Sequence, residues 1–340
     1  MFKESFLFLL FVLFLTFLAK FLILLDVNKR VYNHISGECS TMPNMNGAIG
    51  FDSSTEGLLF LLVNGLENDT SRHIFTYHPD NKSALELRVD KKAKLEAAVL
   101  SVSPLKRDIN VFILNRATKI PTVDLFRVNG NKFLKLLRTI RHRQFDGIHD
   151  VAAVDRKRFF ATVNYYNDNQ NVVLVERIFK IRSGSIIYFD GINVRKVTSI
   201  ASPTGIVVDN FRRLLFAGSF SGKSILVYSL DSFHRLELLR EVDIGCSPVS
   251  LWKDFDGALV VACRPLQFRS ILNAFFSNMT APSQVLRVHI PISTEKPVQI
   301  AQLYMNDGAT ISRINGAART GRSLLISNED RILNCQLSDF

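Results

Sequence analysis

From residue 31 onward the apolar positions of this chain recur with a period of two, and almost nowhere with the 3.6-residue period of a helix. Three passages line up with one another: VAAVDRKRFFATVN (151–164), IVVDNFRRLLFAGS (206–219) and VSLWKDFDGALVVAC (249–263). Each reads as an alternating strand, a short polar turn and a second apolar strand, that is, a hairpin. The hairpins return at intervals of roughly 45–55 residues, and that period over residues 31–340 predicts about six four-stranded units. An all-β, six-bladed β-propeller accommodates such repetition better than a sandwich.

The amino-terminal segment follows a different pattern. FLFLLFVLFLTFLAKFLILL (6–25) is apolar at nearly every position and long enough for a helix to cross a bilayer core of roughly 30 Å. A secretory signal peptide carries a shorter apolar core and a small-x-small cleavage site; none follows Leu25, so an uncleaved signal anchor is expected. Lys20 lies near enough to one end of the segment to snorkel. The expected organisation is a short cytoplasmic tail (1–5), a transmembrane helix (6–25) and a β-propeller body (31–340). Basic residues flank both ends, with Lys3 on one side and Lys29 and Arg30 on the other, so charge alone leaves the orientation open. Glycosylation sequons at Asn68, Asn81 and Asn278 point to a lumenal or extracellular body. So do Cys39 and Cys335, placed where a disulfide would join the two ends of the body. A single-pass protein of the secretory pathway, in the endoplasmic reticulum or plasma membrane, is the expected location.

Composition, 47% apolar and 21% charged, suits a globular body. The net charge of +11 comes from short clusters such as KKAK (91–94), DRKR (155–158) and FRR (211–213) at predicted turns. No recognition helix or stacking module accompanies them, which argues against nucleic acid. Cys246 and Cys263 lie among apolar residues and are expected as buried, unpaired thiols. SGKS (221–224) has Ala217 where a phosphate-binding loop needs its first glycine, and it links two strands instead of opening a helix. GSFSG (218–222) has Phe220 where a nucleophile elbow needs serine. The seven histidines show no zinc-ligand spacing.

LKLLRTIRHRQFDGIHDVAAVDRKRFFATVN (134–164), SPTGIVVD (202–209), ALVVACRP (258–265), APSQVLRVHIP (281–291) and ILNCQL (332–337) together resemble the serum paraoxonase/arylesterase family. The resemblance runs in order from about residue 31 to the end and takes in the uncleaved apolar amino terminus. It implies a six-bladed propeller, a disulfide joining Cys39 to Cys335, two calcium ions in the central tunnel, and lactonase or arylesterase chemistry assisted by a histidine dyad.

The positions that match the family's site carry other residues. An Asn-Asp pair reads His149-Asp150, an asparagine before Gly-Ile reads Thr204, an Asp-Asn pair reads Ser247-Pro248, and an acidic pair near the first blade maps onto Asp52-Ser53. Calcium takes six to eight oxygen ligands, several of them charged, and this set offers few. The dyad positions read Leu105 and Arg116, neither of which moves protons at working pH. No cofactor is expected; Lys106, Arg107 or Arg116 either places a fixed cation beside Asp150 or simply reaches solvent at the tunnel mouth.

The resemblance to nematode-type paraoxonase-like membrane proteins then implies a non-catalytic chaperone or accessory subunit for membrane proteins such as degenerin/epithelial sodium channels. The alternative is a calcium-dependent arylesterase or lactonase. A third class is a propeller that holds a lipid-like ligand in its tunnel without turnover.

Overall fold

In the computed structural model, residues 2–338 are described apart from 25, 36, 44, 66–70, 80, 82, 90–94, 105–108, 131, 165–178, 180 and 271–278. The body is all-β. Its strands fall into antiparallel meanders of four, over 48–89, 97–141, 148–200, 203–243 and 247–306. A further meander combines Gly316–Thr320, Ser323–Ser327 and Ile332–Leu337 with Gly37–Thr41 from the other end of the body. The first two meanders join edge to edge, with Phe133 and Leu134 pairing parallel to Arg88 and Val89.

Position within a meander explains the sequence pattern. Leu59–Asn64 (LFLLVN) and Asn110–Asn115 (NVFILN) are apolar at consecutive positions because neighbouring meanders cover both faces. The outermost Phe133–Arg141 fully buries only Leu134 and Ile140; Leu136 is half-buried and the other side chains are exposed. The three hairpins read from the sequence are the first two strands of the third, fourth and fifth meanders.

The first strands of the meanders are Ala48–Ser53, Ala97–Val102, Ile148–Ala153, Pro203–Asp209, Ser247–Lys253 and Gly316–Thr320. Each packs on the next, and the last packs on the first, so they line the axis of a closed, propeller-like ring. The apolar core lies between meanders: Phe60 and Phe126 between the first two, Phe112 and Phe159 in the next gap, then Phe160 with Leu215, and Phe216 with Leu259. Trp252, Leu325 and Tyr77 belong to the cluster that closes the circle. The axis is crowded. A Cβ on Gly205 would lie 2.5 Å from the amide nitrogen of Leu251, so only glycine lets these two inner strands approach so closely.

Closure is covalent as well. Cys39 faces Cys335 in register and the two form a disulfide across 296 positions of sequence. In the chain-entropy model a loop of that length contributes on the order of 5 kcal/mol. The expectation of free thiols at 246 and 263 is corrected: Cys246 and Cys263 form a second disulfide. The 249–263 hairpin folds back with a bulge that sets Cys263 opposite Pro248, within a Cα separation of 5.9 Å from Cys246. Apolar surroundings suit a buried bridge as well as a buried thiol, and for that reason composition misled.

The helix Phe2–Leu24 contains one segment, Ser5–Ile23, long and apolar enough to cross a membrane, and none of it is buried against the ring. The ring grips the residues that follow. Asp26, 8% exposed, accepts from Lys223 Nζ at 2.6 Å and from the amide of Gln267 at 3.3 Å, and Lys29 donates to the carbonyl of Gly245.

Candidate functional site

Two cavities lie on the ring axis and share Phe51, Leu100, Asp150, Leu251 and Trp252 as a common waist. The upper one, of about 350 Å³, is bordered by Arg72, Arg116, His149, Asn315 and Glu329. The lower one, of about 270 Å³, is bordered by Asp52, Ser53, Ser101, Lys253 and Asp254. A third, of about 950 Å³, adjoins the upper cavity through Arg116 and His149 and adds Arg143, Gln144 and Lys196.

Asp52 and Asp150, expected from the sequence to stand at metal positions, accept mainly from backbone amides. Asp52 Oδ1 accepts from the Ser53 amide (2.7 Å), and Oδ2 accepts from the Val102 amide (2.7 Å) and the Ser101 hydroxyl (2.9 Å). Ser101 in turn accepts from the amide of Ala153 at 3.0 Å, so one carboxylate ties three inner strands together. Asp150 Oδ1 accepts from the Val151 amide (2.8 Å) and Oδ2 from the Ile206 amide (2.9 Å).

Thr162 donates to the carbonyl of Thr204 at 2.7 Å, and the Thr204 hydroxyl donates to the carbonyl of Pro248 at 3.0 Å. Ser247 is fully buried, and its hydroxyl has no partner. The outcome is a chain of side-chain-to-backbone bonds running from strand to strand around the axis.

Burial pushes the Asp150 carboxyl up to about 7; the nearby Asp52 charge adds to this, and the Ile206 and Val151 amides oppose it. Burial also raises Asp52, against the pull of its three donors and of Lys253. Both carboxyls line cavities, so they are enclosed by protein while remaining partly accessible from within.

A calcium ion requires six to eight oxygens. The wall supplies two carboxylates whose oxygens already accept five hydrogen bonds, a proline, and a threonine hydroxyl engaged elsewhere. Among the described residues no group of three or more His, Cys, Asp or Glu side chains is placed to hold a metal. This donor set does not fit a catalytic calcium centre.

Of the two positions expected from the sequence to match the dyad, Leu105 lies outside the described residues, as do Lys106 and Arg107. Arg116 lies on the wall of the upper cavity with His149 and Asp150, donating from Nη2 to the carbonyl of Ile148 at 3.2 Å. Burial lowers its pKa, and the charge of Arg72 lowers it further. Arg72, Glu329 and Trp252 were not singled out from the sequence, because each reaches the axis only once the ring has closed. Of the sequons, Asn81 is exposed in a turn, whereas Asn68 and Asn278 lie outside the described residues.

A family model described as arylesterase matches residues 14–337. The chain belongs to the arylesterase family. This arylesterase-family protein is 28% identical over 348 residues to mechanosensory abnormality protein 6 of Caenorhabditis elegans, covering 95% of this chain and 92% of that protein. It is 25% identical over 233 residues to serum paraoxonase/arylesterase 2 of Rattus norvegicus, covering 67% of this chain and 65% of that protein. Among solved structures it resembles a luciferin-regenerating enzyme, with a TM-score of 0.54, 12% identity, and 88% and 95% of the two chains covered. At that identity the likeness speaks to the propeller-like fold alone.

Proposed function

We propose that this arylesterase-family protein is a membrane-anchored, non-catalytic member whose six meanders are the blades of a propeller. Held at a lumenal or extracellular membrane surface by residues 6–25, it acts as a chaperone or accessory subunit for membrane proteins, such as channels of the degenerin/epithelial sodium type. The observation that carries this reading is a set of large apolar side chains at loop tips on one face. Phe211 is 95% exposed, Ile192 83%, Phe233 73% and Phe255 57%. These residues sit in loops joining first to second or third to fourth strands, so they emerge on the ring face opposite the Asp26 clamp, where a protein partner can cover them. The loss of metal and dyad donors described above is consistent with a surface role.

Proximity labelling from the carboxyl terminus of the full chain tests the reading. Membrane proteins should be enriched over a control carrying residues 1–30 alone, and a Phe211→Asp, Phe255→Asp double variant should lose that enrichment. No enrichment over the control would refute it.

The alternative, a calcium-dependent arylesterase or lactonase, draws support from the Asp52 and Asp150 carboxylates that both line the lower cavity. Calcium-stimulated hydrolysis of a phenyl ester, abolished by Asp150→Asn, would establish it.

A further inference from the structure

The upper axial cavity has a charged rim and an apolar depth. Arg72 and Arg116 share its wall. Arg72 Nη1 donates to the carbonyl of Ala97, and Arg116 Nη2 donates to that of Ile148. A guanidinium carries five N–H donors, so each keeps several to offer. Among the described residues neither lies within ion-pair distance of a carboxylate. Glu329 borders the same cavity, approaches Arg313 at 3.9 Å, and together with Glu96 acts on Arg72 through its charge from beyond ion-pair distance.

Burial lowers the pKa of both arginines; the charges of Glu329 and Glu96 oppose this at Arg72, whereas the like charge of Arg72 lowers Arg116 further. Among the described residues Arg116 therefore faces a like charge with no carboxylate to offset it, an arrangement that an oxyanion between the two would relieve, and the guanidinium fork matches the geometry of a carboxylate or phosphate.

Beneath them the wall is Phe51, Leu100, Leu251 and Trp252, and the volume of about 350 Å³ lies within the range of small-molecule sites. The indole N–H of Trp252 is buried and has no acceptor. The rim also has a direction. Arg72 and Arg116 flank loops that join second to third strands, as do Lys223 and Gln267, which hold Asp26 at the foot of the helix. In a ring of like-oriented meanders these loops share one face, so the cavity opens on the side of the membrane helix.

We infer that the upper cavity binds an anionic amphiphile, with its oxyanion head between Arg72 and Arg116 and its aliphatic body against Phe51, Leu100, Leu251 and Trp252. The site lies on the face opposite the exposed aromatic loop tips, so it stands or falls independently of the partner reading.

Trp252 is the chain's one tryptophan and is 2% exposed, which makes it a reporter that bilayer-dissolved quencher does not reach. The full chain, reconstituted in phosphatidylcholine vesicles, is titrated with 8-bromooctanoate, 8-bromooctyl phosphate, 8-bromooctanol and 8-bromooctyltrimethylammonium. Saturable quenching by the two anions alone is expected, weakened roughly tenfold or more in Arg72→Gln and in Arg116→Gln. Preference for the carboxylate indicates a free fatty-acid-like ligand, and preference for the phosphate indicates a lipid headgroup. Equal quenching by the alcohol or the ammonium compound overturns the inference, as does anion quenching unchanged in both variants. Should the variants fail to fold, the head-group comparison on the unaltered chain still decides.

Discussion

The Thr204 hydroxyl donates to the carbonyl of Pro248, across the seam between the inner strands of the fourth and fifth meanders. Both positions are expected from the sequence to match metal-facing polar side chains of the family. Here one is a strand-to-strand tie and the other has no side-chain donor at all. The ties made by Asp52 and Asp150 extend the same arrangement around the axis.

If these bonds hold the axis, Thr204→Val removes a buried donor and leaves the Pro248 carbonyl without that partner. It should destabilise the body by about 1–3 kcal/mol in denaturant titration. Thr204→Ser, which keeps the hydroxyl, should recover most of the loss. Equal losses for Val and Ser would assign the effect to packing.

Asp150 gives the ring a pH signature. Its folded pKa of about 7 lies above the ordinary carboxylate value of 3.8, so the folded state holds the proton more tightly than the unfolded state. Its contribution to stability is therefore present below about pH 4 and is lost as pH rises toward 7. His234, whose pKa burial lowers, runs the other way over part of that window. The comparison of the unaltered chain with Asp150→Asn isolates the carboxyl: the melting temperature of the variant should fall less between pH 4 and 7. An identical pH profile would show that Asp150 does not titrate there.

The two disulfides should differ in weight. Cys39→Ser with Cys335→Ser opens a loop spanning nearly the whole body and should cost on the order of 5 kcal/mol. Cys246→Ser with Cys263→Ser opens a separation of only 17 residues, for which the same model gives roughly 3 kcal/mol. Thiol counting by mass spectrometry under non-reducing conditions should find no free cysteine in the unaltered chain.

The Lys223–Asp26 pair is nearly buried, and removing one partner strands the other charge. Asp26→Ala should loosen the junction of helix and ring and speed tryptic cleavage at Lys29 and Arg30, with little change in the melting of the ring. Unchanged cleavage would mean that the junction is held by other contacts.

Much of the architecture is legible in the chain because each meander repeats the same burial gradient. Doubly covered strands such as Leu59–Asn64 read as solid apolar runs, and hairpins such as 151–164 alternate around polar turns. Cys39 and Cys335 are legible because they stand near the two ends of the body. The Cys246–Cys263 bridge was misread because an apolar context does not separate a thiol from a disulfide.

The site was less legible. His149, Asp150, Thr204 and Arg116 are reached by following the family pattern, and the structure brings them to the axis. Arg72, Trp252 and Glu329 belong to three separate meanders and become neighbours only through ring closure. The Asp26 clamp had one faint signal, a lone acid just after the apolar helix and ahead of Lys29 and Arg30.

Hydrogen bonds between inner strands tie this ring together at its axis, where a metal ion would otherwise do so. Thermal melting of the purified full chain in excess calcium and in excess chelator, with elemental analysis of the same preparation, tests it most directly. Superimposable melts and substoichiometric calcium are expected. Stoichiometric calcium together with a large fall in melting temperature on chelation would contradict it.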